Sequence, residues 1–130
     1  MLFRSRAGTP SLAGGACLTA RDLARYFSIF VRRGRGVNGE TVGSEAFIEQ
    51  TLQSGVPRSP PYDWGRYSNS FMVFGRTLGH AGWGGQCALA NLDTGKVGVF
   101  LSVVENEHAT TANYLGPIVR MLADITSMDA

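Results

Sequence analysis

The sequence predicts an α+β fold: helices packed on an antiparallel sheet of about three strands. Three observations carry this. Apolar residues repeat at helical spacing in the first part of the chain. Short apolar runs separated by turn residues follow. A last amphipathic stretch then closes the order, placed to lie across the sheet.

The elements follow in order. Residues 1–18 read as a loop, since 8–17 are rich in Gly, Pro and Ser. Residues 19–55 form the helical part. Thr19 is a good N-cap, and Asp22, three residues on, completes an approximate capping box. Leu23, Phe27, Phe30 and Val31 fall on one helical face, a core-packing pattern, and Gly34 and Gly36 end the helix. Residues 37–42 make a compact turn in which Asn38-Gly39 suits positive φ. Ser44 caps a second, short helix through Phe47, Ile48 and Leu52 that stops at Gly55.

Residues 56–69 are a loop, Pro-rich up to Trp64; Tyr62 and Trp64 either line a cleft or anchor it. The strand region is 70–104, with strands at 70–74, 86–92 and 97–104 and a hairpin turn at Asp93-Thr94-Gly95-Lys96. The third is apolar nearly throughout, so it is expected to be central and covered on both faces. A helix within 108–126 closes the chain, with Leu115, Ile118, Val119, Leu122 and Ile125 as its stripe. Gly116-Pro117 either kinks it or marks its true start. There is no internal repeat, and one domain, or a piece of one, accounts for the length.

Composition excludes several classes. Apolar content of 44% is that of a globular protein. The net charge is +2, and Lys96 is the only lysine among 12 basic residues. Arg32, Arg33 and Arg35 cluster at the end of the first helix, where they complement its dipole. A nucleic-acid site needs a longer basic stripe with interleaved aromatics, so none is expected. Cys17 and Cys87 lack metal-ligand spacing; two buried thiols are expected, and no metal or organic cofactor is required. The first six residues are too short and too charged for a signal peptide, and no apolar run is long enough to span a bilayer. If the chain is complete, it is expected in the cytoplasm.

The most informative stretch is Gly79-His80-Ala81-Gly82-Trp83-Gly84-Gly85-Gln86. It precedes an apolar segment, which places a histidine and bare backbone at the start of an expected strand. Glycine in a strand permits close approach of a ligand or of another backbone. Histidine donates, accepts or carries charge near neutral pH. By itself the pattern fits a substrate-receiving strand edge or a structural histidine bonded to a neighbouring carbonyl.

Two blocks resemble the C-terminal part of the serine β-lactamase-like hydrolases: class C β-lactamases, related esterases, D-aminopeptidases and 6-aminohexanoate-dimer hydrolases. The first is Pro10-Ser11-Leu12-Ala13-Gly14-Gly15-Ala16-Cys17-Leu18-Thr19-Ala20-Arg21-Asp22-Leu23-Ala24-Arg25-Tyr26, followed by the Asn-Gly turn. The second is Gly79-His80-Ala81-Gly82-Trp83 leading into the strand pair. The resemblance implies a partial β-lactamase/transpeptidase-like fold and a small amide or ester substrate opened through an acyl-enzyme. It also implies that His80-Ala81-Gly82 stands for the family's Lys-Thr-Gly or His-x-Gly strand motif. His80 would position substrate electrostatically, and Gly82 would admit the acyl group. The Trp83 backbone N–H would be one oxyanion-hole donor, with Ala81 and Gly84 completing the binding segment. Such donors are each worth about 10²–10³ in rate. His108 keeps a surface or capping role.

The chain also departs from the family pattern. The family's nucleophile lies in Ser-x-x-Lys, and the sole lysine here, Lys96, follows Asp93 at that spacing. Tyr67-Ser68-Asn69 has the letters of the family's Tyr-x-Asn motif, but it follows the Gly-Gly block instead of preceding it, so it reads as the approach to a strand. The chain is therefore expected to hold one wall of an active site without its nucleophile, and to be inactive alone. Exposed edges and apolar faces predict a homo-oligomer or a complex with a missing N-terminal portion. The alternatives are a non-catalytic binding module on the same fold and a subunit completed by another chain.

Overall fold

The computed structural model describes residues 18–60, 62–82, 85–101 and 114–129. It contains three described helices, α1 (Ala20–Val31), α2 (Glu45–Gln53) and α3 (Leu115–Ser127). Six described strands form one sheet: β1 (Val56–Pro57), β2 (Arg66–Ser68), β3 (Phe71–Phe74), β4 (Thr77–Ala81), β5 (Cys87–Asn91) and β6 (Val97–Phe100). They lie in chain order and every pairing is antiparallel. The α+β class is as expected, with six strands instead of about three.

The extra strands come from short elements joined by tight turns. Asn69 and Ser70 both have positive φ (46° and 67°), so they are the turn between β2 and β3 and not the start of a strand. Gly75, at φ 57°, opens the two-residue turn from β3 to β4. The segment expected to be loop at 56–69 thus contributes β1 and β2.

The sheet is covered on both faces. On one side α1 and α2 bring Phe27, Phe30, Ile48 and Leu52 against Val73, Leu78, Ala88 and Ala90. On the other, Val119, Leu122 and Ala123 of α3 meet Met72, Phe74, Cys87 and Leu89. Alternation along the strands feeds both layers. β5 is buried at every position, as befits a strand sandwiched between helical layers. β6, expected to be central, is the last strand of the described sheet and only half-buried.

The helices begin largely as their caps dictate. The Thr19 hydroxyl accepts from the Asp22 N–H at 3.1 Å and donates to the Asp22 carboxylate at 2.8 Å. That hydrogen bond holds the Asp22 carboxyl below its usual pKa. Ser44 accepts from the Phe47 N–H at 3.2 Å. Phe47 itself is exposed, and Thr51 takes the buried place on α2 beside Ile48 and Leu52. α1 closes with the Arg33 N–H bonded to Phe30 O and the Gly34 N–H to Ile29 O, a Schellman pattern. Glycine is required at 34, because a Cβ there would lie 2.4 Å from the Gly43 carbonyl oxygen.

The arginine cluster lies at the end of α1, as expected, and also makes specific contacts. Arg33 reaches across to Glu45 of α2 at 2.9 Å, and Arg32 bonds the Arg35 carbonyl. Arg33 thus also ties the end of α1 to the start of α2. α3 starts at Leu115, so Gly116-Pro117 marks a helix start, with Pro in the first turn where its missing N–H costs nothing. Residues 108–113 of the range expected to hold the last helix and 102–104 of the expected third strand lie outside the described residues.

Candidate functional site

The site is built where β2, β3 and β4 run side by side. Tyr67 pairs with Met72, and Met72 pairs with Gly79. Register therefore sets Tyr67 in line with the residue before His80. The Tyr67 hydroxyl and His80 Nε2 share a hydrogen bond of 3.0 Å, and the two rings meet edge to face with centroids 5.8 Å apart. Both side chains are exposed.

β2 is held in place by α2. The Arg66 guanidinium donates to the Gln53 carbonyl at 2.8 Å and also to the Leu52 carbonyl, both at the helix C-terminus. Ser54 and Ser68 share a hydroxyl hydrogen bond of 2.9 Å, and Asn69 donates to Thr51 at 2.9 Å. Arg76, in the β3–β4 turn, makes a bidentate pair with Glu49 at 2.7 and 3.0 Å and reaches Asp93 at 3.2 Å. These bonds push the Arg76 pKa up and hold the Glu49 carboxyl below its usual range. The turns at both ends of β3 are thus tied to α2.

His80 lies at the fourth position of β4, opposite Ala88. This corrects two expectations. The histidine is near the end of its own strand instead of the start of the next one, and β4 is interior to the sheet, between β3 and β5. After it the Gly82 N–H donates to Gln86 O at 2.7 Å and the Gly85 N–H to Gly82 O at 3.0 Å. Gly79 is where bare backbone matters. A Cβ there would stand 2.0 Å from the Ala88 carbonyl oxygen.

A cleft of about 600 Å³ opens beside this pair, lined by Arg58, Tyr62, Tyr67, Met72, His80, Ala81, Gly82 and Leu115. Three of the five expected site residues, His80, Ala81 and Gly82, line it. Trp83 and Gly84 lie outside the described residues, and with them the expected oxyanion donor. Tyr62 lines the cleft, whereas Trp64 anchors the loop, stacked on Phe74 at 3.8 Å and capped by Arg120 at 4.7 Å. Burial pushes the Tyr62 hydroxyl pKa up, against a lowering by the Arg58 charge.

Tyr67 and Arg58 are the functional candidates that sequence reasoning missed. Tyr67 was visible only as part of a displaced motif; its partnership with His80 depends on two strand registers. Nothing in the local sequence marks Arg58. Among the described residues no group of three or more His, Cys, Asp or Glu is placed to hold a metal, and no helix is long and apolar enough to cross a membrane. Cys87 is a buried thiol whose pKa burial pushes up to about 12, so it is no nucleophile. Cys17 lies outside the described residues.

The arrangement can bind a small ligand with an apolar body, using hydroxyl, imidazole and backbone groups at one end. The family model described as Beta-lactamase matches residues 3–116. A search of curated proteins finds no match.

Proposed function

The chain belongs to the beta-lactamase family, and from that premise we propose that it forms the electrophile-binding wall of a serine acyl-transfer site for small amides or esters. The observation that carries the reading is the Tyr67–His80 hydrogen bond beside a cleft that also includes Ala81 and Gly82. In such a site the serine oxygen attacks the substrate carbonyl carbon, and the carbonyl oxygen gains charge. His80, oriented by Tyr67, sits beside that charge and positions the substrate. The Gly82 backbone leaves room for the acyl group. The Trp83 N–H is assigned to the oxyanion.

The nucleophile comes from elsewhere in this reading, because the sequence holds no Ser-x-x-Lys. A second copy does not supply that motif, so the partner is a segment or chain that contains it. The same feature favours a second reading, a binding module that holds amides without forming an acyl adduct. The exposed Met121, Ile125 and Met128 toward the end of the chain give an association surface in either case.

Two measurements test the proposal. With p-nitrophenyl butyrate or a chromogenic β-lactam, the chain alone is expected to show no turnover above buffer and no acyl adduct by intact mass. Robust turnover abolished by His80→Ala would overturn the assignment of the nucleophile to another segment. In two-dimensional amide NMR, N-benzoylglycinamide is expected to shift Tyr67, Gly79, His80, Ala81 and Gly82. Unmoved resonances at millimolar ligand would refute the cleft as a substrate site.

A further inference from the structure

We propose that Tyr67 is a positioning residue that fixes the tautomer of His80, holding the proton on Nδ1 and so presenting an N–H donor to the ligand while the ring is neutral. Its role in binding rests on the cleft being a substrate site; the tautomer does not. A neutral imidazole has one protonated and one bare nitrogen, and the bond made by one decides what the other offers. Here that bond is the 3.0 Å contact between the Tyr67 hydroxyl and His80 Nε2. It can run in either direction, and chemistry decides between them. A bare imidazole nitrogen is a strong acceptor and a phenol O–H a good donor. A phenol oxygen, its lone pair drawn into the ring, is a poor acceptor. The Arg58 guanidinium carbon, 5.5 Å from the Tyr67 ring centroid, draws on that oxygen further. Among the described residues neither the Tyr67 hydroxyl nor the His80 ring has another hydrogen-bond partner. The phenol proton therefore goes to Nε2, and the ring proton is left on Nδ1.

The surroundings agree. The cleft lining holds no carboxylate, the usual group that takes a histidine N–H and sets its tautomer. A phenol sets it here from the other nitrogen, by donating. Tyr67 is also held in place from both sides. Its neighbours Arg66 and Ser68 are tied to the end of α2, Arg66 through the Gln53 carbonyl at 2.8 Å and Ser68 through the Ser54 hydroxyl at 2.9 Å. The two rings meet at 72°, edge to face. The phenol is thus directed before a ligand arrives, and little further ordering is needed on binding. The consequence is a preference for hydrogen-bond acceptors. An Nε2–H ring would use its proton on Tyr67 and leave a bare nitrogen for the ligand. The Nδ1–H ring offers a donor to a carbonyl oxygen, the atom that gains charge in acyl transfer.

The test is a long-range proton–nitrogen correlation spectrum of the full chain at about pH 9, above the ordinary titration range of imidazoles. His108→Gln identifies the His80 signals. The expected pattern is a bare Nε2 and a protonated Nδ1, with nitrogen shifts far apart. In Tyr67→Phe the ring is expected to move toward a protonated Nε2, while backbone amide shifts away from the site stay unchanged. A proton on Nε2 in the unaltered chain, or an Nδ1–H that persists in full in Tyr67→Phe, would overturn the inference. The second arm is binding of N-benzoylglycinamide, followed by amide NMR at the same pH. Its affinity is expected to fall about fivefold in Tyr67→Phe, the scale of one neutral hydrogen bond. An unchanged affinity would overturn the part of the tautomer in binding. No binding to the unaltered chain would refute the cleft reading and leave the tautomer standing or falling on the spectrum alone.

Discussion

Replacing Gly79 with alanine tests how the sheet positions the site. Gly79 is buried in the middle of β4 and pairs with Leu89 of β5 and Met72 of β3. An added Cβ would lie 2.0 Å from the Ala88 carbonyl oxygen and 2.8 Å from Leu89 Cα. Both are backbone atoms of a strand buried throughout, so no side-chain rotation relieves the contact. The strands must separate by about an ångström or slip. Overpacking of this kind costs about 3 kcal/mol, the upper part of the usual range, because backbone has to move. For a chain of 130 residues that corresponds to a fall in Tm of roughly 10 °C. The assay is thermal unfolding followed by far-ultraviolet circular dichroism, with urea midpoints as a second measure. Gly75→Ala is the control. It has φ of 57° and nothing within 4 Å of an added Cβ, so it reports positive-φ strain without a clash, about 1 kcal/mol. A Gly79→Ala shift equal to or smaller than that of Gly75→Ala would refute the close-approach argument.

Other expectations follow from individual contacts. Tyr67→Phe removes the hydroxyl from His80; Tm should change by no more than about 2 °C, since both groups are exposed, while the His80 Nε2 nitrogen shift moves. An unchanged Nε2 resonance would show that the hydrogen bond is absent in solution. Cys87, in a Cys17→Ser background, should resist a disulfide-exchange reagent at pH 8 until denaturant is added. Its contribution to stability should be intact below its ordinary pKa near 9 and lost as pH rises toward about 12, because the unfolded thiol ionises first. Fast labelling of the folded protein would contradict the burial. Glu49 has the opposite sign. Its carboxyl is held down by the Arg76 hydrogen bond, so its contribution is present above the ordinary value of 4.5 and lost as pH falls through the lowered one. Glu49→Gln should therefore flatten the acid limb of urea midpoints measured between pH 6 and 2; an unaltered slope would count against the pair.

Much of the fold was legible from local signals. Caps at Thr19 and Ser44 and the Asp93–Lys96 turn depend on residues within a few positions of each other, and each lies where local chemistry puts it. The stripe of α3 is likewise readable from periodicity at Leu115, Ile118, Val119 and Leu122, whereas Ile125, expected in it, is exposed. β1 and β2 were not, being two and three residues long, too short for alternation to register. β4 was hidden for another reason. Thr77-Leu78-Gly79-His80-Ala81 has one β-branched residue and a glycine, so its propensity is poor, and its strand geometry comes from neighbours on both sides. The apolar run of β6 suggested a central strand, but what makes it apolar is helix cover on its faces, and its place in the sheet order is last among the described strands.

The sequence by itself determined the α+β class, the starts of α1 and α2, the family resemblance and the interest of His80-Ala81-Gly82. All of these rest on residues close together in the chain. The tertiary structure alone decided that His80 belongs to an interior strand and shares a hydrogen bond with Tyr67, 13 positions away. It also brought Arg58 onto two tyrosine rings at the same cleft. The physical reason is register: a slip of one residue at β2–β3 or β3–β4 would turn every side chain to the opposite face, and register is set by turns and by packing against α2 and α3, not by the residues of the site.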